Sequence, residues 1–318
     1  RAALKLSITA FLGGLATRSR AQDMAGTKVI VIGAGFAGLA AAKQVQEQGA
    51  DAIIFEAGSY IGGRVRTDRS LGAPFELGAG WIHGPSRQNP TQQLANLVNA
   101  RTYVTDDDNF DVFDPQGNAL SDAQYERLDE LYEYLEEILF YPVRSGQQSV
   151  EEVLTRIDPD IVNDPLGRWM LSAYFEFSVG AGIGDISAAN GFESSSFDGA
   201  DVILTEGYDS IIAPLAAGLD IRLNTSVSKI WYDDDGVEVD GEPADYVVCT
   251  VPLGVLKSGK ITFDPPLPRE LRDAIGEIGF GSVTKIAIKF PEPFWDTGTQ
   301  YFGMMTEPKG RWNYWLNY

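Results

Sequence analysis

The residues Gly33-Ala34-Gly35-Phe36-Ala37-Gly38 carry three glycines at the spacing GxGxxG. The first permits a tight turn, the second lets a pyrophosphate approach the backbone, and the third lets a helix pack closely on a strand. A diphosphate arriving there rests on the first turn of the helix that follows, where free N–H groups and the helix dipole favour negative charge. Alone the spacing is weak. Glu56, eighteen residues past Gly38, adds a carboxylate that can accept hydrogen bonds from ribose hydroxyls. Glycines and acid together predict a dinucleotide site.

Such a site needs a strand, a helix and a second strand to hold it. Residues 28–32 (KVIVI) form a short, mostly β-branched apolar run, as expected of a buried parallel strand. After the glycines, Leu39, Ala42 and Val45 recur on one helical face until Gly49, and the apolar run 52–55 ends at Glu56. This is a βαβ unit of about 30 residues, the length such a crossover requires. Two more glycine motifs follow, Ile61-Gly62-Gly63-Arg64-Val65-Arg66-Thr67 and Gly78-Ala79-Gly80-Trp81-Ile82-His83-Gly84. Paired glycines let backbone lie against a flat ligand, and Arg64 can neutralise a diphosphate.

From residue 28 to residue 84 the chain closely resembles the flavin-containing amine oxidase family, which includes polyamine oxidases, monoamine oxidases and lysine-specific histone demethylases. The resemblance implies FAD, bound non-covalently by Gly33, Gly35, Phe36, Ala37, Gly38, Glu56, Gly63, Arg64, Gly80 and Trp81. It resumes over Leu204-Thr205-Glu206-Gly207-Tyr208, 221–230 and 247–255, where it places the backbone of Val227 at the adenine and Thr250 beside the cofactor. Gly281-Ser282-Val283-Thr284-Lys285 resembles the family strand whose lysine holds a water near flavin N5; the plain alternative for Lys285 is a surface lysine. His83, the only histidine, matches a position beside flavin and substrate, with Trp81 lining the same place. A lone histidine is otherwise a satisfied structural side chain. Tyr174-Phe175-Glu176-Phe177 resembles a segment that offers a carboxylate to a distal ammonium, and aromatic rings around an acid suit a cation. A core helix with one outward Glu176 explains the same residues equally well. Cys249 falls in an apolar strand and is expected to be buried and structural.

The implied fold is α/β: a Rossmann-like FAD domain of the glutathione-reductase type, with an interleaved α+β substrate domain. The FAD domain is expected over 27–87 and 201–260, the substrate domain over 88–200 and 261–318. In the latter, 121–141 reads as an amphipathic helix with Tyr125, Leu128, Leu131, Leu135, Ile138 and Leu139 inward and a capping box at Ser121 and Gln124. Further strands are expected over 221–232, 237–239, 246–251 and 283–290. The aromatic run 312–318 calls for a partner strand.

The family chemistry is hydride transfer from the carbon beside an amine nitrogen to flavin N5, with imine hydrolysis and reduction of O2 to hydrogen peroxide. A polyamine of the spermine or spermidine type is the expected substrate; an L-amino-acid or monoamine oxidase would share every FAD motif. The family's C-terminal Gly-Glu motif and flanking aromatic residues do not occur before Tyr318, so an incomplete cofactor enclosure is expected, and with it the alternative of a non-catalytic flavin-binding protein. A chromatin demethylase would need histone-docking modules, and none is visible.

Bulk properties agree. Hydrophobic residues make up 44% and charged residues 22%, which fits a globular chain. The net charge of −20 argues against nucleic acid; it can attract small cations, and the plainer reading is that it keeps the protein soluble. One cysteine excludes an internal disulfide and paired-cysteine metal sites, so no metal is expected. Residues 1–21 resemble an export leader: the Arg-Ala-Ala-Leu-Lys start is like the second half of a twin-arginine signal, and Ser19 and Ala21 suit cleavage before Gln22. That stretch is too short to span a bilayer, so export to the bacterial periplasm or secretion, without stable membrane insertion, is the expectation; a cytoplasmic protein with an amphipathic helix there is the alternative.

Overall fold

Four consecutive β-branched residues, Val29 to Ile32, cannot turn one face to water and stay soluble, and they lie at the interior of a parallel sheet. The computed structural model describes residues 24–140, 148–192 and 197–318. The expected leader lies outside them. In this sheet β1 (Lys28–Ile32) pairs with β2 (Asp51–Phe55) on one side and with the strand Tyr246–Cys249 on the other. Asp220–Arg222 extends it beyond β2. Alternate side chains feed two cores. Val29, Val31, Ala52 and Ile54 pack with Leu39, Ala42 and Val45 of α1 (Phe36–Glu47), the face predicted for that helix. Ile30, Ile32, Ile53 and Phe55 pack with Val227, Ile230, Val239 and Ile261. The latter group comes with a second, mixed sheet, ordered Glu242–Ala244, Val237–Val239, Lys229–Tyr232, Thr262–Asp264. The expected 221–232 strand is therefore two strands of different sheets, parted by a turn through Asn224 at φ 53°.

The chain divides into two compact units, formed by the described residues of Arg1–Val104 with Phe197–Ile278 and of Thr105–Ser196 with Gly279–Tyr318. The breaks differ from those at 87, 200 and 260 for a hydrogen-bonding reason. Thr102–Val104 pairs with Val202–Leu204, and Thr262–Asp264 pairs with Lys229–Tyr232, which ties both outer segments to the nucleotide-binding unit.

The second unit is mostly helical. Its helix Asp122–Phe140 buries Leu128, Leu135 and Leu139 as its periodicity requires. Only half of the capping box forms: the Gln124 side chain accepts from Ser121 N at 3.0 Å, while the Ser121 hydroxyl donates to Gln124. A complete box closes the next helix, Val150–Ile157, through Ser149 and Glu152. Helix Pro165–Met170 then runs into a π-helical stretch, Leu171–Glu176, and ends after Phe177–Val179 at Gly180, φ 68°. Tyr314–Leu316 pairs with Tyr301–Met304, which pairs with Phe110–Phe113, so the aromatic run finds its strand partner.

Two further expectations are corrected. Residues 283–290 are not a strand: Ile286, Ile288 and Phe290 alternate as a strand would but are 54%, 50% and 40% exposed, and no strand among the described residues runs beside them. Alternation marks an apolar face; it does not supply the neighbour that a ladder needs. Cys249 ends its strand exposed rather than buried, because that strand is the edge of its sheet.

Candidate active site

The cradle of the first unit is built where β1, β2 and the strand Tyr246–Cys249 all end on the same side. Gly33 N donates to Phe55 O at 2.8 Å, and Thr250 N to Ile32 O at 3.0 Å. The Thr250 hydroxyl donates to Ile32 O at 2.8 Å and so packs under the glycine turn. A Cβ on Gly38 would run into the Gly33 carbonyl oxygen, so only glycine lets α1 start this close to β1. No side chain caps α1, and its first turn holds no acid. Its first internal bond is Leu39 N to Gly35 O, 3.0 Å, which leaves the N–H groups of Phe36, Ala37 and Gly38 without intrahelical partners. An uncapped, acid-free helix start is what a diphosphate fits.

The Gly-Gly-Arg turn completes the cradle. Gly62 N donates to Ala34 O at 2.8 Å, and Gly63, at φ 59°, faces Gly35 so closely that a Cβ would sit 3.1 Å from its Cα. Arg64 is exposed and forms no ion pair with the described residues. Glu56 bends back between two turns: Oε2 accepts from Ala34 N at 2.7 Å and Oε1 from Gly58 N at 2.6 Å. Each oxygen keeps a lone pair for a ribose hydroxyl. Val227 is buried in the second core, Gly80 is buried, and Trp81 is half-buried on a short strand paired with Ile203. These residues fit FAD.

His83 lies in the same unit. Its Nδ1 is hydrogen-bonded to the carboxylate of Asp201, which also accepts from Gly84 N at 3.1 Å. Asn89 fixes the loop from below by donating to His83 O at 2.9 Å. The His83 side chain is 73% exposed, so its other ring nitrogen is open to a small molecule. Asp201 escaped sequence reasoning because it is 118 residues away and belongs to no motif. Glu76 escaped as well. This buried carboxylate accepts from Tyr208 N at 2.7 Å and from the Thr67 hydroxyl at 2.9 Å, and locks the segment after Arg64 to the returning chain. Nearby, Asp209 is held below the ordinary carboxylate range by its paired hydrogen bonds from Arg69.

Glu176 and Lys285 lie in the second unit. Glu176 closes the π-helical stretch, and its Oε1 accepts from Ile183 N at 2.9 Å and from Lys309 Nζ at 2.7 Å. Around that stretch Tyr174 packs edge-on against Trp169 and Tyr132, and Tyr314 stacks on Tyr301 with Phe177 beside it. Burial, then Tyr132 and the carboxylates of Asp107, Asp108 and Asp129, pushes the Tyr174 phenol up to about 12, so it is a neutral ring and hydroxyl at any physiological pH. Burial likewise raises Tyr314. Lys285 is half-buried within the irregular 281–290 segment, which is tied to the end of the π-helical region by Ser282 N donating to Gly180 O at 2.8 Å.

Over 315 residues the chain is 34% identical to polyamine oxidase 2 of Arabidopsis thaliana, an alignment that covers 91% of this chain and 64% of that protein. It is 34% identical to polyamine oxidase 4 of Oryza sativa subsp. japonica, again over 91% and 64%. Similarity to lysine-specific histone demethylase 1B of Mus musculus is also 34%, over 86% of this chain and 36% of that one. This chain therefore spans a little under two thirds of the plant relatives' length. Among solved structures, wild-type putrescine oxidase bound to putrescine superposes with a TM-score of 0.60 at 20% identity, over 79% of this chain and 63% of that one, which shows a shared fold. The family model of flavin containing amine oxidoreductases matches residues 36–318, and the chain belongs to that family.

Proposed function

We propose that this chain binds FAD and belongs to an oxidase of cationic amines, with polyamines of the spermine or spermidine type as substrates. The observation that carries the reading is the joined cradle of Gly33–Gly38, Glu56 and Gly62–Arg64, shaped for a dinucleotide, in a chain that is 34% identical to polyamine oxidases over most of its length. When bound, FAD supplies a two-electron acceptor for the hydride on the carbon next to an amine nitrogen, and O2 is the terminal acceptor, giving hydrogen peroxide.

The residues of the chain prepare the amine. A reacting nitrogen must be unprotonated, because its lone pair supports the cation that develops on the neighbouring carbon. Lys285 supplies a positive charge and holds a water, and a like charge nearby disfavours protonation of that nitrogen. His83, with Nδ1 bonded to Asp201, leaves Nε2 as the ring nitrogen that can meet an amine and, in the neutral ring, accept its proton. Glu176, among aromatic rings, suits a second ammonium that stays charged.

The full reading frame, purified and scanned for flavin absorbance, tests this. Anaerobic bleaching by spermidine or spermine, with peroxide formed on admitting air, is the expected result. Peroxide from L-amino acids or benzylamine but not from polyamines would overturn the substrate assignment. Lack of any bleachable flavin would overturn the enzymatic one.

A further inference from the structure

Glu176 is 14% exposed and needs a counter-charge, since a carboxylate taken out of water without one is costly. Lys309 provides it. This lysine sits on the hairpin between Tyr301–Met304 and Tyr314–Leu316, and three contacts dock that hairpin on the helix leading to Glu176. Arg168 donates to both carboxylate oxygens of Glu307, at 2.6 and 3.1 Å. Asn313 Nδ2 donates to the Ser172 hydroxyl at 2.9 Å, and Trp169 Nε1 donates to Asn313 O at 2.9 Å. Held in this way, the Lys309 ammonium is presented to Glu176 at a high effective concentration.

The chemistry of the pair is specific. A lysine side chain is a four-carbon stem ending in a primary ammonium, the same group as the aminobutyl end of spermidine or one end of a protonated short diamine. We propose that Lys309 is an internal substitute for a substrate ammonium at Glu176, which a di- or polyamine must displace in order to bind. The inference rests on the reading that Glu176 receives an ammonium. Lys309 then sets specificity. A monoamine lying with its one nitrogen at the reacting position leaves Lys309 in place, while a polyamine that reaches Glu176 with a second ammonium binds more weakly than the bare carboxylate would allow. The π-helical geometry that ends at Glu176 agrees with a functional position, since π-turns concentrate at such sites.

The test is anaerobic titration calorimetry on the FAD-loaded, full-length protein, its flavin first reduced with dithionite so that no hydride transfer follows binding, with spermidine as the ligand. Lys309→Gln is expected to tighten spermidine binding about threefold to fivefold, the upper range of one partly exposed ion pair. Arg311→Gln, which removes the same charge from the same hairpin without touching Glu176, should leave spermidine binding within about twofold. The gain should vanish in Glu176→Gln/Lys309→Gln. Equal spermidine affinity in wild type and Lys309→Gln overturns the proposal, as does an equal gain in Arg311→Gln or a gain that survives in the double variant. Should Lys309→Gln not fold, Lys309→Arg decides: a guanidinium grips a carboxylate harder and must weaken spermidine binding, and unchanged affinity is the overturning result. Because heat of binding is read without turnover, a protein that binds spermidine but forms no peroxide refutes the oxidase reading and not this one.

Discussion

Gly63 and His83 are the residues on which single-atom geometry bears most directly. A side chain at Gly63 meets two obstacles at once, the φ of 59° and the Gly35 backbone. Gly63→Val is therefore expected to lower FAD affinity by at least about tenfold while the fold persists, which the ratio of flavin to protein absorbance after gel filtration reports. For His83 the Asp201 carboxylate fixes the tautomer, with the proton on Nδ1. With one histidine in the chain, a ¹⁵N spectrum at about pH 8 shows a single imidazole, expected as the Nδ1–H form. Asp201→Ala should return it to the Nε2–H form usual for free imidazole; an unchanged spectrum would show that Asp201 does not hold the ring.

Among the elements, the short hairpin of Thr67–Asp68 and Phe75–Glu76 shows how a site is fastened by groups that never meet a ligand. Glu76 carries buried hydrogen bonds, and Arg69 grips Asp209 with two. Asp209 has its folded-state value below the ordinary 3.8 because of Arg69, so its contribution is complete above the unfolded value and fades as pH falls through the folded one. The pair is partly exposed, and about 1 kcal/mol or less is expected from it. Asp209→Asn should thus lower stability to denaturant at pH 7 by up to about that amount, with the gap closing as pH falls through the lowered folded-state value. A gap that stays constant with pH would mean that packing, not charge, links the hairpin to the turn.

For the whole molecule, charge is the property that matters to the proposed substrate. A net charge of −20 draws small cations toward the surface at low salt, and screening removes that attraction once the Debye length falls below about 10 Å. The apparent KM for spermidine should rise severalfold between about 20 and 300 mM salt with kcat little changed, and the KM of a neutral amine substrate should not. Flat KM values across that range would confine electrostatic recognition to the immediate neighbours of Glu176.

How much was legible depends on whether a residue acts through its own backbone or through a distant partner. The glycine turn, the acid at Glu56 and the apolar runs of β1 and β2 are local rules, since spacing alone dictates turn, helix start and buried strand, and the structure forms them within a residue of expectation. The inward face of the helix Asp122–Phe140 was legible for the same reason. Pairings between remote positions were not legible. His83 with Asp201, Glu76 with Tyr208 N, and Glu176 with Lys309 join residues 118, 132 and 133 apart, and no periodicity encodes such contacts. The failed strand at 283–290 has the same origin, because a ladder depends on a neighbour that the segment's own residues do not specify. By itself the sequence determined a dinucleotide cradle and the family resemblance, which rest on local backbone chemistry. Only the tertiary structure decided which charges meet: that His83 has a carboxylate behind it, and that Glu176 already holds an ammonium of the chain's own.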